Sequence, residues 1–244
     1  MDELNFTGKT ALITGASRGI GAAVAQALTA RGARCILNDL SAPSDTAAKC
    51  AGSVAIAADV ANFDAVAAMA AQIKAEFGGL DIIVNNAGIL REKSIKKMEL
   101  ADFDATLRIN LGGPFNVLRA CQDLLREGAS VVNMASVAGT LGFFGQAAYA
   151  PSKAGVMALT KVAAREFARQ KVRVNAIAPG VIATEMTAGM KDEVAAGFIA
   201  QTPLGRLGTT DDIVGVALFL CSPLAGYITG QVIHVNGGFY MGGG

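Results

Sequence analysis

The chain has no tryptophan, a single histidine (His234) and four cysteines in 244 residues. One histidine argues against a His-ligated metal centre and against a Ser-His-Asp triad, so no metal is expected. Cys35, Cys50, Cys121 and Cys221 are far apart and none forms C-x-x-C. That is the usage of reduced, buried thiols in a cytoplasmic protein, not of a disulfide framework. Charge is also scarce, at 17% of residues with a net charge of +1. A nucleic-acid binder would show a basic stripe, so none is expected to bind. Residues 128–152 and 213–244 contain no Asp, Glu, Lys or Arg. Gly, Ser, Asn, Gln or Pro interrupts each before about 18 apolar residues accumulate, the length a membrane span needs. They read as buried interior or subunit contact. The opening MDELNFTGK is acidic and lacks the apolar run of a secretory signal.

Apolar residues make up 52% of the chain, enough for a large core and too many for disorder. Short apolar runs alternate with longer amphipathic stretches. Strands are expected at 10–14, 35–39, 53–60, 80–88, 130–135, 172–178 and 231–235. Helices are expected at 20–32, closed by Gly32, and at 63–77, 102–126, 147–170 and 209–221, the last with Thr209 as N-cap. Residues 184–201 read as a mobile helical excursion. Strands alternating with helices imply right-handed βαβ units and a parallel sheet covered on both faces. With no linker or repeat, the expectation is one α/β domain over 1–244, a doubly wound parallel sheet of Rossmann type.

Thr14-Gly15-Ala16-Ser17-Arg18-Gly19-Ile20-Gly21 lies between the first strand and the first helix. Glycines there permit a tight turn, backbone N–H groups can approach a pyrophosphate, and the helix N-terminus adds positive potential. The spacing is G-x-x-x-G-x-G, and a plain structural turn is the alternative. Ligands of open parallel sheets bind beyond the carboxyl ends of the strands. Asp39, Asp59, Asn85 to Gly88, Ser136 and Pro179-Gly180 all stand at such ends.

Tyr149 and Lys153 are four residues apart at the start of a helix, on one face. Pro151 between them is tolerated only in a first helical turn. Lowering a tyrosine from a pKa of ~10 to roughly 7 needs ~4 kcal/mol. One ammonium at ~4 Å in an effective dielectric of ~20 supplies about that much. Such a pair serves as acid/base, or it is a surface pair with no task.

TGASRGIG (14–21), NNAG (85–88), Asn110, Ser136, YAPSK (149–153) and the PG pair (179–180) stand in the order and spacing of the classical short-chain dehydrogenases/reductases. The chain resembles that family over essentially its whole length, and most resembles its 3-oxoacyl-acyl-carrier-protein reductases. The resemblance implies hydride transfer between a nicotinamide cofactor and a carbonyl or secondary alcohol. Tyr149 would donate the proton and Ser136 orient the carbonyl. Lys153 would lower the Tyr149 pKa and hold the nicotinamide ribose. Asn110 would hold a water linking Lys153 to solvent. Gly15, Ser17, Arg18, Gly19, Ile20 and Gly21 would take the pyrophosphate side. Asp59 and Val60 would meet the adenine, and Asn86, Ala87 and Gly88 the adenosine ribose. Pro179, Gly180, Ile182 and Thr184 would meet the nicotinamide. Taken singly, Asp59 could equally be a helix N-cap, Asn110 a packing residue and Ser136 a turn residue.

The expected substrate is a 3-oxoacyl thioester. The alternatives are a small secondary alcohol, sugar or hydroxy acid, and a non-catalytic dinucleotide sensor, against which the intact Ser/Tyr/Lys/Asn set argues. In similar carrier-protein reductases, basic docking residues stand near the site mouth. Two such positions here hold Glu127 and Gln170, with Arg126, Arg169 and Lys171 alongside, so docking of acyl-carrier protein stays open. Residues 184–201 would form the substrate lid, with Met186, Met190 and Phe198 facing an apolar pocket or the core. Asp39 can accept bonds from both adenosine-ribose hydroxyls and would repel a 2′-phosphate. Arg18 could pair with that phosphate. NAD(H) is therefore expected over NADP(H), with NADP(H) as the alternative. Small apolar residues in 102–126 and 147–170 and the uncharged tail GGFYMGGG (237–244) point to subunit contacts. The resemblance implies a homotetramer.

Overall fold

A computed structural model describes residues 3–242; Met1, Asp2, Gly243 and Gly244, including the last two residues of the tail, lie outside it. Seven strands form one parallel sheet: β1 (Thr10–Thr14), β2 (Arg34–Asp39), β3 (Val54–Ala57), β4 (Leu80–Asn85), β5 (Leu125–Met134), β6 (Arg173–Pro179) and β7 (Val232–Val235). Their order is β3-β2-β1-β4-β5-β6-β7, so every carboxyl end lies along one edge.

Alternation along the strands builds the two faces. Ile13 of β1, Ile82 and Val84 of β4 and Val132 of β5 pack with Val24, Leu28 and Ile213 on one side. Leu12, Ile83 and Val131, the intervening residues, pack with Val66, Ile73, Val117 and Phe167 on the other. Successive side chains of a strand point to opposite faces, so a sheet covered by helices twice is apolar throughout. Each fully buried aliphatic side chain contributes roughly 1.5–3 kcal/mol. The first layer holds α1 (Gly19–Thr29) and, behind it, α2 (Ser44–Ala47). The second holds α3 (Phe63–Phe77), whose N-cap Asn62 accepts from the N–H groups of Asp64 and Ala65.

The expected helix 102–126 is three pieces. α4 (Leu100–Leu107) passes through a π-helical turn (Arg108–Gly112) into α5 (Gly113–Cys121). A short 3₁₀ turn (Gln122–Leu124) follows, and Arg126 already lies in β5. Gly112-Gly113-Pro114 breaks the helical pattern at the π turn, and beyond it buried Leu125 pairs with Leu80 at the amino end of the sheet, where the Asp81 carboxylate holds the Arg126 guanidinium at 2.6 Å. Next come α6 (Ala138–Leu141) and α7 (Tyr149–Glu166), then 3₁₀ residues to Gln170. The excursion after β6 contains turns up to Met190 and then α8 (Asp192–Gln201). α9 (Thr210–Cys221) begins as expected at Thr209, whose N–H donates to the Asp212 carboxylate at 2.7 Å. Among the described residues, no helix is long and apolar enough to cross a membrane.

Candidate active site

β1 and β4 are neighbours, yet α1 after β1 packs in one layer and α5, which follows β4, packs in the other. The chain therefore leaves their carboxyl ends in opposite directions and opens a crevice between them. Thr14 closes its floor. Its Oγ1 accepts from the N–H groups of Asn86 and Ala87, both at 3.1 Å. The Asn86 amide returns two bonds, to the carbonyls of Thr14 (3.1 Å) and Gly15 (2.9 Å). Gly15 has φ +64°, and a Cβ there would lie 2.8 Å from the Ala87 Cα. A Cβ on Gly21 would run into the Gly15 carbonyl and the Asn86 amide. This loop is a tight cradle of bare backbone, not a spacer, and such a cradle admits a pyrophosphate. Ile20 packs against the core and fixes the start of α1.

At the end of β2, Asp39 turns its carboxylate back to the loop. One oxygen accepts from Ser17 N–H at 3.1 Å and the other from Leu40 N–H at 2.8 Å. Beside it a cleft of about 800 Å³ is lined by Ser17, Arg18 and Gly19, by Thr46 of α2 and by Thr184 after β6. Asp59 is not a helix cap. Its carboxylate accepts from Ala61 N–H at 2.8 Å, and the cap is Asn62. Val60 is buried, and its carbonyl accepts from the Asn116 amide at 2.9 Å. The Pro179 carbonyl accepts from Val137 N–H, tying β6 to the residue after Ser136. Gly180 donates to Val235 O, Ile182 is buried, and Thr184 donates to Thr187 Oγ1 at 3.0 Å.

Tyr149 opens α7 with Pro151 in its first turn, and Lys153 follows one turn on. Ser136 is buried just beyond β5; its hydroxyl accepts from Ala138 N–H at 3.1 Å and lies close enough to the Tyr149 phenol to influence its ionisation. Lys153 is only 5% exposed; its Nζ donates to the Met134 carbonyl at 2.7 Å and stands 5.7 Å from the Tyr149 ring centre. The expected depression of the Tyr149 pKa is not what this arrangement produces. Burial, which disfavours the phenolate, pushes it up, the nearby Glu92 charge adds to the rise, and the Ser136 hydroxyl opposes both. Lys153 is itself lowered to about 8 because its ammonium is desolvated.

Asn110 sits in the π turn, fully buried. Its carbonyl oxygen accepts from Ile89 N–H at 2.8 Å, and its amide donates to Ile89 O and Ser152 Oγ. The side chain is thus committed to protein partners and holds the residue after Gly88 in place. Gly88 lies between Asn110 and Lys153: a Cβ there would be 3.1 Å from the Asn110 oxygen and 3.6 Å from Lys153 Nζ. Beneath them, Asn85 donates to Asn133 and Asn133 to Thr160, a buried polar rung across β4, β5 and α7.

Two further polar residues meet the site without a motif to announce them. Gln146 donates to Glu92 at 2.9 Å, and its own carbonyl oxygen is buried without a partner. Both lie on loops, where only the fold reveals proximity. The basic residues near the two carrier-docking positions are mostly engaged: Arg126 with Asp81, and Lys171 with Glu127 at 2.6 Å. An apolar groove of about 740 Å³ runs along α4, the π turn and α5 to Leu159 of α7, and none of its lining residues belongs to this site. Among the described residues, no cluster of three His, Cys, Asp or Glu side chains could hold a metal.

The family described as "Enoyl-(Acyl carrier protein) reductase" matches residues 15–240. The 3-oxoacyl-[acyl-carrier-protein] reductase FabG of Staphylococcus aureus (strain N315) is 43% identical over 96% of this chain and 98% of its own. That of Escherichia coli (strain K12) is 42% identical over 98% and 100%. Among solved structures, the short-chain dehydrogenase/reductase SDR:glucose/ribitol dehydrogenase of Brucella melitensis superposes with a TM-score of 0.94 at 37% identity, covering 98% of this chain and 99% of that one.

Proposed function

Because the chain belongs to the short-chain dehydrogenase/reductase family and is an NAD(P)-dependent oxidoreductase, we propose that it reduces the ketone of a 3-oxoacyl thioester, with Tyr149 as proton donor. The observation that carries this reading is the gathering of Ser136, Tyr149 and the buried Lys153, whose Nζ stands 5.7 Å from the Tyr149 ring, beside Gly88 and Asn110. A phenol whose pKa is raised stays protonated at neutral pH, which suits a donor in the reductive direction. Ser136 orients the carbonyl oxygen, and Tyr149 gives it the proton. The Lys153 ammonium then offsets the charge left on the phenolate. Bound nicotinamide would supply the hydride to the carbonyl carbon.

The cofactor fits the residues present: Gly15 and Gly21 let the loop pack on itself and on Asn86, and at Gly19 the bare backbone faces open space, where even a Cβ would meet nothing closer than 3.7 Å, so a pyrophosphate could approach the start of α1. We assign NAD(H) over NADP(H). The Asp39 carboxylate already occupies the Ser17 and Leu40 N–H groups where another anion would have to compete. Arg18 lines the neighbouring cleft and is the residue that would favour NADP(H). Arg126 and Lys171 pair with Asp81 and Glu127, contacts weak enough for the carboxylates of a docking acyl-carrier protein to replace, so the thioester could be free or carrier-borne. We read the chain as one domain with 184–201 as its lid, and the four buried free thiols support a cytoplasmic setting.

One observation favours a second reading. The Glu92–Gln146 pair beside Tyr149 offers hydrogen bonds that a small polyol or hydroxy acid would use. A panel of 3-oxoacyl thioesters, sugars and secondary alcohols, each with both cofactors, decides. The highest kcat/KM is expected for a thioester, and a sugar or simple alcohol in first place would replace this proposal with the second reading.

A further inference from the structure

Three segments distant in sequence meet through aromatic rings. Phe143 lies in the connection 142–148, with Ser136 shortly before it and Tyr149 directly after. Phe198 lies on α8, and Phe239 on the turn after β7. Ring centres are 6.0 Å apart for Phe143–Phe198, edge to face, and 5.9 Å for each ring to Phe239. Two of the three rings stand on fixed supports. In the connection, the Gly145 carbonyl accepts from Lys93 N–H at 2.7 Å and Gln146 bonds Glu92. In the tail turn, Tyr240 packs against His234 with ring centres 4.7 Å apart and planes tilted by 53°, and the Asn236 side chain bonds Tyr240 O and Gly238 N–H.

The third ring stands on a loosely held element. α8 contains no buried residue. Its side-chain hydrogen bonds stay local, from Gln201 to Gly197 O and from Thr202 to Phe198 O. An element with few buried apolar contacts opens at low cost. Phe198 is therefore the side chain through which α8 engages both the catalytic connection and the tail.

We propose that Phe143, Phe198 and Phe239 form an aromatic latch that shuts residues 184–201 over the substrate side and selects a substrate with an apolar chain, which packs against the rings. The inference rests on the thioester reading for the chemistry of that chain. Phe143 precedes Tyr149 by six residues and its ring stands 6.0 Å from Phe198, so a substrate chain extending from Tyr149 toward α8 would pack against these rings. Closure around a polar group would leave it against ring faces, where it has no hydrogen-bond partner. An acyl chain adds apolar contact there, so chain length and closure reinforce each other.

The test uses the full-length enzyme with NAD(H) and the variants Phe198→Ala, Phe198→Leu and Phe239→Ala. KM and kcat are measured for 3-oxoacyl thioesters of increasing chain length. Trypsin cleavage at the exposed Lys191, which precedes α8, is followed in parallel. Phe198→Ala is expected to raise KM for the longest chains roughly ten- to a hundredfold, with a smaller rise for shorter chains and little change in kcat. Phe198→Leu, which keeps apolar bulk, is expected to recover most of the loss. Both alanine variants are expected to be cleaved several-fold faster. A KM penalty equal at all chain lengths would overturn the selection, and unchanged cleavage in both variants would overturn the latch. If wild type reduces no 3-oxoacyl thioester, the thioester reading and the selection built on it fail, while the cleavage rates still judge the latch.

Discussion

Lys153 is a buried cation whose hydrogen-bond partner is a backbone carbonyl, and the protein should carry the cost of that as a pH-dependent stability. Its pKa is lowered from 10.5 to about 8 by desolvation. Between those values the unfolded chain holds a proton that the folded chain has released, so stability rises with pH through that window. Below pH 8 the folded protein must keep the ammonium buried and bears the full penalty. From the two values, wild type gains about 2 kcal/mol from this group between pH 8 and pH 10. Lys153→Met keeps the stem, removes the charge and should lose that gain. The buried thiols of Cys35, Cys121 and Cys221, pushed up from 9.0 to about 11, about 12 and about 12, act in the opposite sense from about pH 9 upward, inside the same window, but equally in both proteins, so the comparison with the variant isolates Lys153. The assay is urea unfolding followed by circular dichroism at one protein concentration, since association shifts apparent stability. The wild-type curve should rise relative to the variant by about that amount across the window. Parallel curves would show that Lys153 titrates as a solvated lysine, and the electrostatic account of Tyr149 would fall with it.

Tyr149→Phe keeps the ring and removes the proton donor. Turnover should fall ~10²–10⁴-fold while NADH binding, followed by fluorescence titration, stays close to wild type; a modest loss of turnover would refute its role. Asp39→Ala should shift the ratio of kcat/KM for NADH over NADPH toward NADPH by roughly ten- to a hundredfold. A wild type that prefers NADPH, or an unchanged ratio, would remove Asp39 as the selector. The apolar groove lined by Leu107, Leu111, Phe115 and Leu159 should be covered by a second subunit. Light scattering should then give a tetramer mass, and a monomer at working concentration would contradict the interface.

Much of this was legible because the chemistry depends on local patterns. The glycine loop, the Tyr149–Lys153 spacing and the polar strand ends each carry a local signature, and the sheet brings them to one edge. What the sequence concealed depends on distant partners. Arg126 reads as the end of a helix until Leu80 and Asp81, each forty-five residues earlier, meet Leu125 and Arg126 at the sheet. Asp59 and Asn62 are both plausible caps by type, and the bonds to Asp64 and Ala65 select Asn62. The Tyr149 argument allowed for the lysine's attraction but not for burial, and burial decides its direction. Glu92, Gln146, Phe143 and Phe239 lie in loops or turns, where no periodicity marks a side chain as facing the site.

The π turn at Arg108–Gly112 has a consequence in the language of insertions and deletions. A π turn bonds each residue to the one five ahead instead of four, so it stores a single extra residue within a helix. Removing one residue there would put Pro114 inside one continuous helix, where its ring and missing N–H oppose the regular turn. The flanking helices would keep their phase, because the wider turn absorbs its extra residue without rotating α4 against α5. The loss would fall on the turn itself, whose widened backbone carries Asn110 to Ile89 and Ser152. The chain would lose the contacts that fix the backbone beside Gly88. The irregularity is a one-residue bulge that turns Asn110 out of a packing helix and toward the loop beside Gly88.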